Sequence, residues 1–119
     1  MDFSGSERVE VTTVDAYCEQ ADIKRIDLLK LDIEGHELDA LHGARSMLTS
    51  GRIGAITFEF GGCNIDTRTF FRDYWKLLTA QRMRIARITP SGFWSWLDRY
   101  EEEQEQFRTT NFVAVREPG

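Results

Sequence analysis

An apolar stretch that ends in a group of carboxylates most constrains what this chain can fold into. Residues 28–37 read Leu-Leu-Lys-Leu-Asp-Ile-Glu-Gly-His-Glu. The near-continuous apolar run over residues 26–32 predicts a strand that is buried on both faces. Residues 37–49 then follow a helical period, with an apolar stripe at Leu38, Leu41, Ala44 and Leu48. This order is typical of an open α/β sheet, which binds ligands outside the carboxyl ends of its strands.

The rest of the chain alternates strands and helices in the same way. A short half-exposed strand is predicted at residues 9–14, and Thr13 or Asp15 is placed to cap a helix that ends near Gln20. Three later stretches are predicted to be strands, namely Ile53–Phe60, Met83–Ile88 and residues 112–115. Between them the spacing predicts a helix that starts at Asn64 or Asp66, and another over residues 93–107. The alternation predicts an α/β fold with a mainly parallel sheet and helices on both faces.

Composition indicates one globular domain. The chain has 119 residues, of which 41% are hydrophobic, so it can fill a single core. Residues 1–8 are predicted to be a loose tail and residues 9–119 to form the domain. The net charge of −5 disfavours nucleic acid and anionic membrane surfaces as partners. Cys18 and Cys63 lack the paired spacing of a metal or redox site, so both are predicted to be reduced thiols. No signal peptide or membrane segment is recognised in the sequence, which predicts a cytoplasmic location.

Three carboxylates lie where the first strong strand gives way to a helix. Glu34 and Glu37 are interpreted either as caps of that helix or as groups that contact a substrate. The two-residue period of a strand puts Asp32 on the same side as Lys30. Because a lysine within an apolar strand usually needs a partner, Asp32 or Glu59 is expected to form an ion pair with it.

Glu59 repeats the pattern at the end of the next predicted strand. Adjacent parallel strands would bring it close to Asp32, and two such carboxylates can form a general base, a ligand for a hydroxyl group or a cation site. The plainer alternative is the ion pair with Lys30. Gly61 and Gly62 follow, either to admit a ligand close to the backbone or simply to form a turn.

Histidine and tryptophan side chains give weaker signals. His42 is predicted to lie on the exposed face of its helix, whereas His36 lies nearer the rim of the sheet and is a candidate substrate contact. Trp94 and Trp96 follow a Pro-Ser-Gly turn. They either form an aromatic wall over a pocket or, more plainly, Trp96 packs in the core and Trp94 lies in a loop.

The motifs of this chain resemble those of the FkbM-type methyltransferase family. The resemblance is carried by Lys30-Leu31-Asp32-Ile33-Glu34-Gly35-His36-Glu37, and by four shorter stretches at residues 11–15, 41–44, 58–60 and 111–115. It runs from about Val9 to Arg116. The central motif is long and has several fixed polar positions, which makes a chance match improbable.

The resemblance implies part of a Rossmann-like sheet that uses S-adenosylmethionine to methylate a hydroxyl group of a sugar or secondary metabolite. Residues 26–32 and 53–60 would be its fourth and fifth strands, and residues 83–88 and 111–116 its last, antiparallel pair. Asp32 and Glu59 would be catalytic, and the substrate would contact the segment Glu34, Gly35, His36 and Glu37. No metal ligand is expected.

The glycine-rich cofactor turn and the ribose-binding acid of such enzymes are not found in this sequence. The chain is therefore expected to be the C-terminal half of the domain, supplying the substrate side of the reaction and binding the cofactor weakly by itself. The alternative is a non-catalytic α/β remnant that acts in assembly or regulation. In either case the strand at residues 26–32 would expose a free edge, which predicts a possible homodimer.

Overall fold

The structure, a computed structural model, describes residues 12–106 and 108–118. Residues 9–11 of the first predicted strand lie outside this part, and Val14 already belongs to a helix. The helices are α1 (Val14–Gln20), α2 (Glu37–His42), α3 (Arg45–Thr49), α4 (Cys63–Thr67) and α5 (Phe71–Ala80), with a 3₁₀ turn at Glu102–Gln104. The strands are β1 (Ile26–Lys30), β2 (Ile53–Phe60), β3 (Met83–Ile88), β4 (Trp94–Trp96) and β5 (Thr110–Arg116).

The strands form one mixed sheet in the order β1-β2-β5-β3-β4. β1 and β2 pair in parallel, whereas β5 is antiparallel to both β2 and β3, and β4 is antiparallel to β3. The α/β fold and the antiparallel C-terminal pair are confirmed, whereas the prediction of a mainly parallel sheet holds only in part, because the sheet is mixed. β2 and β3 do point the same way, yet β5 is inserted between them, so only β1 and β2 form a parallel pair among the described strands.

The core lies on one face of this sheet. Strand residues of this face, such as Ile56, Phe58 and Phe112, join one buried cluster with the side chains that the helices bury, among them Leu41 and Tyr74. Phe58 stacks on Tyr74 at 5.0 Å between ring centroids. The helices of the described residues therefore cover a single face, and the prediction of helices on both faces was wrong for this part of the chain.

The opposite face, called here the open face, is formed by the alternate residues of each strand. β1 is an edge strand, and on the open face Leu28 exposes 58% of its surface. The prediction that this strand is buried on both faces was therefore wrong. An apolar run shows that a strand avoids charge, but it does not show whether a second layer covers that strand.

The segment 93–107 was predicted to be a helix and is instead β4 followed by irregular chain and the 3₁₀ turn. Thr89 and Phe93 close a hairpin in which the Thr89 N–H donates to the Phe93 carbonyl at 2.8 Å. Two earlier helices are also interrupted. α2 and α3 are separated near Gly43, and α4 ends at Arg68, which adopts a left-handed conformation with φ 56°.

Side chains cap the first turns of two helices, one locally and one from a distant part of the chain. Thr13 caps α1 as predicted, accepting from the Ala16 N–H at 3.1 Å. Asp15, the alternative cap, instead accepts from the backbone of Ser46 and Met47 at 2.7 and 2.9 Å, and so caps α3. These contacts hold α1 against α3 and fix the layer that carries α2.

Candidate active site

The candidate site lies at the carboxyl ends of β1 and β2. The Leu31 N–H donates to the Thr57 carbonyl at 2.9 Å and extends the pairing of the two strands by one residue. Asp32 follows on one strand and Glu59 lies near the end of the other. Both border a cleft of about 460 Å³ on the open face, which is lined by Leu28, Lys30, Leu31, Asp32, Thr57, Phe58, Glu59, Ile88 and Asn111. The expected proximity of Asp32 and Glu59 is thus present, while their catalytic roles stay predictions.

Lys30 also borders this cleft, but the expected ion pair is absent. The ion pairs formed within residues 12–106 and 108–118 do not include Lys30 with either Asp32 or Glu59. The reason is that β1 is an exposed edge strand, so water solvates the ammonium group and no buried partner is needed. Lys30 therefore leaves both carboxylates available to a ligand.

The turn between β1 and α2 has a backbone that few residues tolerate. Glu34 and Gly35 have φ of 51° and 95°. Gly35 is buried, and a Cβ atom there would lie 2.5 Å from the Cys63 carbonyl oxygen. Gly35 thus lets two loops approach each other at the end of the sheet, while the Glu34 side chain is exposed at the rim.

Glu37 stabilises this turn through hydrogen bonds to its backbone. Its carboxylate is fully buried and accepts from the Gly35 N–H at 2.8 Å and from the Ile33 N–H at 3.4 Å. The role seen for Glu37 is structural, but it is not the predicted helix cap, because both donors belong to the turn ahead of α2 and no described side chain caps that helix. The substrate-binding roles of Glu34, Gly35, His36 and Glu37 stay predictions.

A buried polar network holds the second loop to the first. Asn64 accepts from the Gly61 N–H and donates to the Tyr74 hydroxyl, both at 2.9 Å. The Thr67 hydroxyl donates to the Gly35 carbonyl at 2.9 Å. Burial, together with the nearby Glu37 carboxylate, raises the pKa of Tyr74 to about 12, so the phenol stays a neutral member of the network.

The sequence interpretation missed this network. The sequence predicts only that a helix starts at Asn64 or Asp66. The available signal was the sequence Gly61-Gly62-Cys63-Asn64, because an asparagine just after glycines often bonds to local backbone groups. The partners at Thr67 and Tyr74 are set by the tertiary fold.

The two histidines lie outside the cleft. His36 is exposed and its Nδ1 lies 3.4 Å from Asp39 Oδ2 on the same helix. His42 is exposed at the end of α2, as predicted. Of the two cysteines, Cys18 is buried, Cys63 is exposed, and both are free.

Within residues 12–106 and 108–118, the backbone of two glycines beside the cleft is covered by the chain itself, since a Cβ at Gly35 would meet Cys63 and one at Gly61 would overlap the backbone of Thr109. Within the same residues, His, Cys, Asp and Glu form no group suited to a metal ion. Their helices are also too short or too polar to cross a bilayer.

Comparison with known proteins identifies the family. The family model described as the methyltransferase FkbM domain matches residues 1–85, and the chain belongs to this family. The matched region contains β1, β2 and the acidic turn between them, whereas Asn111 and β4 lie beyond it. No curated protein and no solved structure shows a significant match.

Proposed function

We propose that this chain supplies the acceptor side of an S-adenosylmethionine-dependent O-methyl transfer. The observation that carries the proposal is the cleft at the carboxyl ends of two parallel strands, which both Asp32 and Glu59 line. Family membership supports a methyltransferase, and families of this class use S-adenosylmethionine in general. The acceptor would be a small hydroxylated molecule or a glycan.

The chemistry assigned to this chain is the positioning and deprotonation of a hydroxyl group. A carboxylate at Asp32 or Glu59 accepts the hydroxyl hydrogen bond, orients the oxygen and takes its proton. S-adenosylmethionine, when bound, would supply the methyl group, whose bond to sulfur would break as its bond to the acceptor oxygen forms. Thr57 and Asn111 supply neutral polar groups beside them. The exposed Glu34 at the rim further disfavours an anionic acceptor.

Replacing Asp32 with asparagine is expected to lower methyl transfer by about 10²-fold, because general-base catalysis contributes about 10²–10⁴ in rate. The measurement, made on an enzyme that joins this chain to a cofactor-binding half, is transfer of a labelled methyl group from S-adenosylmethionine to a panel of sugars and other hydroxyl compounds. Turnover should fall while cofactor affinity stays near its original value.

Asp22→Asn is the matched control. Asp22 is an exposed acid that pairs with Lys24 before β1 begins, at the opposite end of the strand, so its loss should leave transfer unchanged. Unchanged transfer in Asp32→Asn would contradict a role for this residue. Absence of transfer to every acceptor by the enzyme that also contains the cofactor-binding half would contradict the acceptor-side assignment for this chain.

The free edge of β1 favours a second candidate function, a non-catalytic module that assembles as a homodimer. Leu28 is exposed and the outer edge of β1 carries no strand among the described residues. Such an edge is a template for pairing with another strand. In this alternative the edge, and not the cleft, is the functional surface.

Sedimentation over a range of concentrations tests this alternative. A β1-mediated homodimer is expected to dissociate on dilution, and Leu28→Lys should shift it toward monomer because an edge lysine opposes strand addition. Leu29→Lys is less informative, since Leu29 packs against the core and its replacement would also perturb folding. A monomer at all concentrations would exclude the homodimer.

A further inference from the structure

A row of side chains crosses the open face from the cleft to the far edge of the sheet. Glu59 pairs across the strands with Asn111, which in turn lies opposite Ile88. Ile88 lies opposite Trp94 on β4. Strands are about 4.8 Å apart, so three steps place Trp94 about 14 Å from Glu59. Because Ile88 lines the cleft, Trp94 is the next side chain beyond its wall.

The neighbouring row is closed to solvent in its middle. Thr57 pairs with Val113, Val113 with Ala86, and Ala86 with Trp96. Val113 and Ala86 are small and buried, whereas Trp96 at the end of the row is bulky and 38% exposed. The accessible path from the cleft to the indole rings therefore follows the first row, in which Asn111 is exposed, Ile88 is half-buried and Trp94 is exposed.

The two tryptophans are held in place. Their ring centroids lie 5.8 Å apart at an interplanar angle of 77°, and the Arg84 guanidinium lies 4.3 Å from the Trp96 ring. This cation–π contact and the edge-to-face pair fix the rings without burying them, since Trp94 stays 49% exposed. The sequence expectation that Trp96 packs in the core and Trp94 lies in a loop was wrong, because both belong to β4.

We propose that Trp94 and Trp96 form a stacking platform for the methyl acceptor, and that the acceptor is an elongated, uncharged hydroxyl compound that carries an aryl ring. This inference rests on the proposed function of the cleft. The hydroxyl end binds at Asp32 and Glu59, the body lies along Asn111 and Ile88, and the aryl ring stacks on Trp94. A flat ring fits because indole faces prefer offset or edge contacts with other rings. The carboxylates at the cleft disfavour a negatively charged acceptor.

Calorimetric titration with two probes tests the platform. Phenyl β-maltoside and methyl β-maltoside share the same two sugar rings and hydroxyls and differ in the aryl group. We expect the phenyl compound to bind about tenfold more tightly, a difference of about 1.4 kcal/mol. Trp94→Ala should abolish this preference, whereas Trp75→Phe, which changes a half-buried tryptophan on α5, should keep it.

The acceptor role of the cleft and the tryptophan platform can be tested separately. Asp32→Asn should weaken both probes and leave their affinity ratio unchanged, so loss of the acceptor role and loss of the platform are read independently. Equal affinities for the two probes, binding of neither probe, or a preference that survives Trp94→Ala would overturn the platform. So would a Trp94→Ala variant whose only change is its oligomeric state, since a second copy of the chain would then occupy the rings.

Discussion

Replacing Gly35 with alanine is expected to lower the free energy of unfolding by about 2–5 kcal/mol. The backbone there has φ +95°, which costs a residue with a Cβ atom about 1–2 kcal/mol. The new methyl group would lie 2.5 Å from the Cys63 carbonyl oxygen, and relieving such an overlap costs about 1–3 kcal/mol more. Because Gly35 joins the turn after β1 to the loop after β2, both sides of the cleft would shift. Urea denaturation measures the loss.

Two other glycines distinguish the cost of backbone strain from the cost of steric overlap. Gly92 has φ +90°, and no other atom lies within 4 Å of the position that a Cβ atom would take, so Gly92→Ala tests backbone strain alone. Gly61 lacks a positive φ but abuts the Thr109 backbone, so Gly61→Ala tests overlap alone. Gly35→Ala should cost more than Gly92→Ala by at least the overlap contribution. Equal losses in these two variants would mean that the loops separate easily and that Gly35 does not hold them.

Sequence patterns identified the elements whose cause is local. β2 and β3 have the predicted bounds, and Thr13 caps α1, because alternating apolar residues and a threonine before a helix act over a few residues. The same holds for the turn after β1, where the acid-rich segment lies at the carboxyl end of the strand. This is why Asp32 and Glu59 could be placed at one rim before any contact was known.

The predictions that were wrong concern features that depend on tertiary contacts. The aromatic residues from Phe93 onward fit a helical period as well as a strand, and the pairing with β3 makes this segment a strand. Glu105 is a second example, since its carboxylate accepts from the backbone N–H groups of Phe71 and Arg72 at 2.6 and 2.9 Å and so caps α5 from more than thirty residues away. No local pattern specifies such a contact.

Arg116 also forms long-range contacts, and replacing it is the second change expected to lower stability strongly. Its Nε donates to the Ile53 carbonyl at 2.8 Å, its Nη1 to Gln81 at 2.9 Å and its Nη2 to Leu48 at 3.2 Å. One guanidinium thus joins the end of β5 to the start of β2 and to the residues at the ends of α3 and α5. Burial, together with the charges of Arg25 and Arg82, lowers the pKa of Arg116, but no carboxylate is needed because the three carbonyls act as acceptors.

Arg116→Met is expected to lower the free energy of unfolding by about 2–4 kcal/mol, because it removes three hydrogen bonds to partly buried carbonyls while keeping an unbranched apolar stem. Of the three carbonyls, that of Leu48 keeps a second donor, the Gly51 N–H at 3.1 Å. Arg116→Lys should recover only part of this loss, since an ammonium group cannot reach three acceptors that diverge from a planar fork. Arg45→Met, at an exposed position on α3, is the control and should change stability by about 0.5 kcal/mol or less. Thermal and urea unfolding of the three variants provide the comparison. If Arg116→Met were as stable as Arg45→Met, water would be satisfying the three carbonyls, and the C-terminal strand would be held by its sheet pairing with β2 and β3 alone.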